Sequence, residues 1–240
     1  MNNQKNSKRY VAHFDMLGFK SATLRNPDEA WGALCDLRAC MDEILKLPIE
    51  VFSFKEIISN RIKAYIFSDS ILIFTVSDDV RDFVAMLVLA FKFFADALVK
   101  CVPLRGGISY GNFFFNTELH LFCGIPFVKA YEIGEEAQWS GIIIDDIVAE
   151  HYNKNPIPAS NDNPIIIKWD VPIKPNGHKK SWVVNWPEIY KERFTINPPI
   201  SVEDFYKAFE SLFGPFKDLP PDVKVKYENT VNFINANLAS

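Results

Sequence analysis

The stretch RIKAYIFSDSILIFTV, residues 61–76, determines the fold that the sequence predicts. Two runs rich in β-branched and aromatic residues, Arg61–Phe67 and Ser70–Val76, are separated only by Ser68 and Asp69. Apolar runs of this length, joined by two turn-forming residues, are typical of an antiparallel β-hairpin. The sequence therefore predicts a hairpin that carries a carboxylate, Asp69, at its tip.

The segments around this hairpin alternate between strand and helix patterns. Residues 9–17 and 104–115 are apolar stretches rich in β-forming residues. Residues 26–47 and 77–100 have helical spacing of apolar positions, and each begins with a capping residue. The order strand, helix, hairpin, helix, strand predicts an α+β protein with a ferredoxin-like βαββαβ core and a mainly antiparallel sheet.

The pattern is weaker after residue 115. We expect helices near 126–138, 201–213 and 221–238, a short strand at 141–144, and a pair of strands at 165–169 and 181–186. Residues 152–164 are rich in Asn and Pro and indicate an inserted loop rather than a domain linker. We therefore expect one domain over residues 1–240, with a core at about 9–146 and a C-terminal elaboration at about 147–240.

Composition excludes several classes of function. The net charge of −4 argues against broad nucleic-acid binding, which needs a basic surface. No signal-peptide pattern is present, and the longest apolar stretch, Phe83–Phe91, is too short to cross a bilayer, so we expect a cytoplasmic protein without membrane insertion. The spacing of the four cysteines fits no zinc site, and we expect reduced core thiols at Cys35, Cys40, Cys101 and Cys123.

A second carboxylate lies in the stretch HFDMLGF, residues 13–19. In the predicted core, the first strand lies beside the second strand of the hairpin, which brings Asp15 close to Asp69. Two neighbouring carboxylates repel each other unless a cation lies between them, and Mg²⁺ or Mn²⁺ suits such an oxygen site. The alternative is that Asp15 is only the polar end of a strand.

Two further features of the sequence suit a phosphate ligand. Leu17, Gly18 and Phe19 follow Asp15 directly, and the backbone amides of this turn can face a phosphate chain. Arg105 begins a predicted strand and offers bidentate donors for phosphate. The alternatives are a plain turn at Gly18 and a surface ion pair at Arg105.

Taken in order, the motifs HFDMLGF, FSDSILIF and LRGGISYG resemble the catalytic domain of class III nucleotidyl cyclases, over about residues 9–146. The second and third motifs look most like those of the Pycsar cyclases, bacterial antiphage enzymes that make cyclic UMP or cyclic CMP. The resemblance implies two divalent cations, Mn²⁺ or Mg²⁺, bound by Asp15, Asp69 and the carbonyl of Met16. It also implies a homodimer with shared active sites.

The resemblance assigns roles to several other residues. Leu17–Phe19 would face the phosphates of a nucleoside triphosphate, and Arg105 would bind them. Tyr65 occupies the position where adenylate cyclases use lysine and guanylate cyclases use glutamate to recognise a purine. A tyrosine at this position fits a pyrimidine, with UTP favoured over CTP. The alternative is an ordinary strand tyrosine that faces inward.

The chain departs from the family pattern in the later helix. Val128 and Glu132 stand where the family usually has an asparagine and an arginine. Lys129 is the cation that we expect to replace this arginine in catalysis, and the alternative is a solvated helix lysine. The departure leaves other functions open: a nucleotide-binding domain without catalysis, a purine cyclase, or another phosphoryl transferase. We expect His120 to be a surface residue, and Lys179-Lys180 to lie in a solvated turn.

Overall fold

The computed structural model describes residues 5–51, 54–155, 157, 164–175, 177–193 and 198–238. The strands are β1 (Lys5–Met16), β2 (Pro48–Val51), β3 (Phe54–Ile57), β4 (Ile62–Phe67), β5 (Ser70–Thr75), β6 (Leu104–Asn116), β7 (Leu121–Gly124), β8 (Ile142–Ile144), β9 (Ile166–Ile173) and β10 (Gly177–Val184). The helices are α1 (Phe19–Arg25), α2 (Pro27–Leu45), α3 (Val80–Val99), α4 (Ile125–Glu136), α5 (Asp146–Lys154), α6 (Pro187–Arg193), α7 (Val202–Tyr206), α8 (Glu210–Phe213) and α9 (Pro221–Leu238).

One mainly antiparallel sheet lies at the centre of the protein. Its strand order is β4-β5-β1-β6-β8-β10-β9, with β7 paired to β6. Only the β6–β8 pair is parallel among the described strands. The central position of β1, between β5 and β6, is that of a ferredoxin-like core. The predicted α+β fold and the position of the first strand are confirmed.

The two faces of β1 have different environments. Tyr10, Phe14 and Met16 belong to the main core together with α2 and α3, and the ring of Phe14 lies 5.9 Å from that of Phe93 in α3. Because side chains alternate along a strand, His13 and Asp15 lie on the opposite face, which α4 covers. Most of α3 is buried, which explains why its sequence is apolar on most sides.

Glycines allow α4 to pack closely on β6. A Cβ atom at Gly107 would lie 2.4 Å from the carbonyl oxygen of Ala130, and one at Gly134 would lie 3.0 Å from the Cα of Gly106. Any larger side chain at these positions would push the helix away from the strand. The Arg-Gly-Gly motif therefore places the end of α4 directly beside Arg105.

Several predicted elements need correction. The structure adds α1, the β2–β3 hairpin, β7, α5 and α6, and the predicted helix at 201–213 is divided by a 3₁₀ turn into α7 and α8. Lys179 and Lys180 lie within β10, because that strand is longer than predicted. The predicted loop at 152–164 begins inside α5, and most of its remainder lies outside the described residues.

The prediction of reduced core thiols holds for the free thiol state of the four cysteines but not for the burial of all of them. All four are free thiols, but only Cys40 is fully buried. Cys35 and Cys123 are exposed, the former in α2 and the latter on the short strand β7, so they are not core residues. Among the described helices, none has the length and apolarity needed to span a membrane. The division into a core and an elaboration within one domain stays a prediction, although β9 and β10 extend the central sheet.

Candidate active site

The structure brings Asp15 and Asp69 together. Asp15 lies near the end of β1 and pairs in register with Ser70, the residue that follows Asp69. The N–H of Met16 donates to the carbonyl of Asp69 at 3.0 Å. Burial raises the pKa of Asp15, as does the charge of Asp69, while Arg105 opposes both. The predicted proximity of positions 15 and 69 is confirmed, and two such carboxylates favour a cation between them.

The hairpin tip that carries Asp69 has a constrained backbone. Phe67 and Ser70 are paired, so Ser68 and Asp69 form a two-residue turn. Ser68 has a φ of +55°, in the left-handed region that is uncommon for residues other than glycine. Backbone held in this region is frequent at functional sites, where the surrounding structure fixes it. The turn thus presents the Asp69 carbonyl to Met16 in one defined orientation.

Arg105 lies opposite Asp15 on β6 and is buried. Its Nη2 donates to Oδ2 of Asp15 at 3.1 Å and also forms an ion pair with Glu135. Burial lowers the pKa of Arg105, while the charge of Asp15 favours its protonated form. Arg105 is therefore not the surface arginine of the alternative interpretation, because it is buried between two carboxylates at the candidate metal site, and its role in binding phosphate stays a prediction.

Two residues of this cluster were not predicted from the sequence. Glu135, near the end of α4, also contacts Lys174, with 3.1 Å between Oε2 and Nζ. Burial and repulsion from Arg105 lower the pKa of Lys174. Glu135 thus lies between two cations that can bind an anionic ligand. The sequence signal for Glu135 is limited to its position in the predicted helix at 126–138, the helix in which the family usually carries an asparagine and an arginine.

The C-terminal helix contributes a third cation. Lys226 of α9 lines a cavity of about 170 Å³ together with Leu17, Gly18 and Ser21. Burial, and then repulsion from Arg105 and Lys174, lowers the pKa of Lys226. Because this lysine lies far from the three motifs in the chain, the sequence offers no signal for it.

The turn after Asp15 has a conformation that requires glycine. Gly18 has a φ of +78°, and α1 begins at the next residue. The N–H of Leu17 already donates to the carbonyl of Pro103 at 2.9 Å. Gly18 and Phe19 are therefore the amides of this turn that remain for a phosphate, and their role stays a prediction.

Tyr65 lies on the same face of the sheet as Asp15, in an aromatic cluster. Its ring is 4.7 Å from that of Phe122, is stacked on that of Phe74 at 5.9 Å, and meets His120 edge to face at 6.0 Å. Tyr65 is partly exposed, and its role in base recognition stays a prediction. His120 is exposed, as expected.

Lys129 lies away from the two aspartates. Its Nζ donates to Oδ1 of Asp145 at 2.7 Å, and the hydroxyl of Ser109 donates to the other oxygen at 2.7 Å. Ser109 pairs with Val11, four residues before Asp15 on β1. The described contacts of Lys129 thus give it a structural role that joins α4 to β6, and its catalytic role stays a prediction.

His13 makes the stability of the protein depend on pH. Its ring lies 5.8 Å from that of Phe127 and 5.2 Å from that of Tyr131. Burial, and then repulsion from Arg105, lowers the pKa of His13 from 6.5 to about 4. The unfolded chain therefore binds more protons between these values. We expect the free energy of unfolding to be highest above pH 6.5, where His13 is neutral in both the folded and the unfolded chain. It should fall by roughly 3 kcal/mol as the pH decreases towards 4.

Urea unfolding of the wild type and of His13→Gln at pH 7 and pH 4.5, without added metal, measures this effect. Acidification should lower the free energy of unfolding of the wild type more than that of the variant. Equal decreases in the two proteins would show that His13 does not carry the effect.

Among the solved structures that are similar to this chain, three with a TM-score above 0.5 illustrate the match, whereas neither a protein-family model nor a curated protein matches its sequence. One is the catalytic core of a rhodopsin-guanylyl cyclase with converted specificity in complex with ATPαS, with 16% identity over 76% of this chain and 98% of that chain. Another is an adenylate/guanylate cyclase/hydrolase from Silicibacter pomeroyi, with 15% identity over 76% of this chain and 98% of that chain. The third is a bacterial light-regulated adenylyl cyclase, with 11% identity over 80% of this chain and 57% of that chain. Each has a TM-score of 0.51. The chain therefore has the fold of class III nucleotidyl cyclase catalytic domains.

Proposed function

We propose that this protein is a metal-dependent nucleotidyl cyclase that converts a pyrimidine nucleoside triphosphate, UTP in preference to CTP, into the 3′,5′-cyclic monophosphate and pyrophosphate. The observation that carries the proposal is the contact of Asp15 with both the Asp69 turn and Arg105, at one end of β1. Paired acids beside a buried cation suit a triphosphate with its metal ions. From the resemblance of the motifs, we propose that the product is an antiphage second messenger made in the cytoplasm.

The residues present fit two divalent cations. Asp15, Asp69 and the backbone carbonyl of Met16 offer hard oxygen ligands, the donors that Mg²⁺ and Mn²⁺ prefer. No cluster of three or more His, Cys, Asp or Glu side chains that could hold a metal occurs among the described residues, so the substrate phosphates and water would complete the ligand shells. When bound, the cations would supply Lewis acidity that makes a hydroxyl more acidic.

In the proposed reaction, the 3′-oxygen of the substrate forms a bond to the α-phosphorus and loses its proton to solvent. The bond from the α-phosphorus to the β-phosphate oxygen breaks, and pyrophosphate leaves with the electron pair. Arg105 and Lys174 bind the phosphates and stabilise the charge of the leaving group. Lys129 is proposed to replace the arginine of the family pattern, which requires its ion pair with Asp145 to open.

We propose that two copies form a dimer with shared active sites. The fraction of exposed surface is high for several apolar side chains near Tyr65 and on α4, namely 61% for Leu121, 77% for Ile125 and 53% for Val128. They lie on β7 and the adjoining helix. Exposed apolar side chains on adjoining elements favour a protein interface, and we propose that this is where the two copies meet.

Turnover assays test the proposed function directly. The purified protein is incubated with UTP, CTP, ATP or GTP and Mn²⁺, and pyrophosphate and cyclic monophosphates are measured. We expect cyclic UMP as the main product, and lysine or glutamate at position 65 should weaken the preference for UTP. Absence of turnover with every triphosphate would refute the proposed enzymatic activity. Turnover of ATP or GTP at the same rate as UTP would refute the proposed specificity.

A nucleotide-binding domain without catalysis is the second candidate. The ion pair between Arg105 and Glu135, together with the replacements at Val128 and Glu132, favours it. Tight binding of a triphosphate without release of pyrophosphate would identify this function.

In the proposed site, the carboxylate of Glu135 competes with the substrate phosphates for the positively charged side chains of Arg105 and Lys174. We expect Glu135→Gln to lower the KM for the triphosphate about five- to tenfold, because Arg105 and Lys174 no longer bind an internal carboxylate. Glu136→Gln is the matched control, since Glu136 is the next residue on α4 and contacts only Lys179, at 3.9 Å, among the ion pairs described. Steady-state kinetics measure both variants. A KM that rises in Glu135→Gln would show that Glu135 instead orients the cations.

A further inference from the structure

We propose that Lys226 of the C-terminal helix α9 binds the phosphate chain of the substrate. The last helix would then complete a site whose other parts come from the cyclase-like core and from the β9–β10 connection that carries Lys174. This inference rests on the proposed function and assigns to it a residue outside the three sequence motifs.

The position of Lys226 supports a phosphate ligand. Lys226 lines the cavity of about 170 Å³ beside Leu17 and Gly18, the turn that directly follows Asp15. The lining also includes the apolar side chains of Phe213 and Val223. Small-molecule pockets usually measure roughly 300–1,000 Å³, so this cavity can accept part of a phosphate chain but not a nucleoside.

The charges around Lys226 also favour an anion. No carboxylate lies within ion-pair distance of its Nζ in the part of the chain that the structure describes. Arg105 and Lys174 are the cations that act on it most strongly, and Asp222 and Asp15 are the attracting acids. A partly buried lysine that is subject to the charges of two other cations is stabilised when an anion binds beside it.

Lys226 balances the charge of the proposed site. The acids Asp15, Asp69 and Glu135 are matched in number by Arg105, Lys174 and Lys226. A triphosphate bound with two divalent cations is itself close to neutral. Without Lys226 the loaded site would carry excess negative charge, which opposes binding of the phosphates.

The backbone at Lys226 is fixed in place. The hydroxyl of Thr230 donates to the carbonyl of Lys226 at 2.7 Å and accepts from the N–H of Ser140 at 2.8 Å. The hydroxyl of Ser140 in turn donates to the carbonyl of Leu104, the residue before Arg105. These hydrogen bonds connect α9 to the strand that carries Arg105. The backbone positions of Lys226 and Arg105 are therefore fixed relative to each other.

Pyrophosphate binding to the full-length protein tests this role. Calorimetric titration with pyrophosphate and Mg²⁺ compares the wild type with Lys226→Met, which keeps most of the length of the side chain without the charge, and with Lys226→Arg, which keeps the charge. We expect the methionine variant to bind about tenfold more weakly and the arginine variant to bind within about threefold of the wild type. Lys224→Met is the matched control on the same helix, because Lys224 contacts Lys217 and Phe216 instead.

The kinetic readout separates phosphate binding from a structural effect. Lys226→Met should raise the KM for UTP about tenfold with kcat nearly unchanged, and the melting temperature should stay within a few degrees of the wild type. Unchanged pyrophosphate binding in Lys226→Met, or a loss that arginine does not restore, would overturn the inference. If no triphosphate is turned over by the wild type, the proposed function fails, but the pyrophosphate titrations still decide the role of Lys226.

Discussion

Replacement of Asp69 by asparagine should reduce Mn²⁺-dependent turnover by about a thousandfold or more. Asparagine removes one of the two charges that would hold the cations but keeps the size of the side chain. Because asparagine is favourable in tight turns, and because Met16 contacts the backbone carbonyl of Asp69, the hairpin should keep its structure. The expected protein is therefore folded and inactive.

Two measurements distinguish this outcome from unfolding. Binding of Mn²⁺ should weaken in Asp69→Asn, and NMR titration should show a lower pKa for Asp15, because the neighbouring negative charge that raises it is lost. Asp78→Asn is a suitable control, since Asp78 accepts from Tyr110 outside the proposed site and the variant should keep full turnover. Turnover that survives Asp69→Asn would refute the assignment of the metal site.

Replacement of Arg105 by methionine should lower kcat/KM by about a hundred- to a thousandfold. The guanidinium contacts both Asp15 and Glu135, and lysine at this position has a shorter side chain and lacks the planar donors that suit phosphate. Arg105→Lys should therefore recover only part of the activity. Kinetics with UTP and with CTP measure both variants.

Arg105→Met should also lose stability, by roughly 1–3 kcal/mol, because it leaves the partly buried carboxylate of Asp15 without its cation and leaves Glu135 with Lys174 alone. The double variant Arg105→Met/Glu135→Gln removes one of these carboxylates and should recover part of the stability without recovering activity. Urea unfolding of the four proteins in this cycle tests the expectation. Recovery of activity in the double variant would show that Arg105 serves only to neutralise Glu135.

The central part of the fold could be predicted because its signals are local. The hairpin at residues 61–76 combines two β-forming runs with a two-residue turn, and the helices at α2 and α3 begin with clear capping residues. The helix α1 was missed because Asn26, which caps α2, also ends α1, so the sequence shows only one helix start. Short elements such as β7 contain too few residues to give a periodic pattern.

The candidate site could be predicted only in part, because most of its contacts do not follow from local sequence patterns. Asp15 and Asp69 end or join strands whose pairing follows from the fold, so topology brings them together. Glu135, Lys174 and Lys226 lie on a helix end, a strand connection and the last helix, and no spacing along the chain relates them. Their contacts depend on tertiary packing, above all on the close approach of α4 to β6.

The pairing of β1 with β5 makes the geometry of the proposed active site depend on strand register. The spacing of the two acids is set by backbone hydrogen bonds rather than by flexible side chains, so most substitutions nearby should leave it unchanged. A slip of one residue in this pairing would instead turn Asp15 towards the apolar core and exchange it for Phe14. Molecules with such a slip would retain the sheet but would separate the two acids, so the proposed metal site depends on correct pairing of the hairpin with β1.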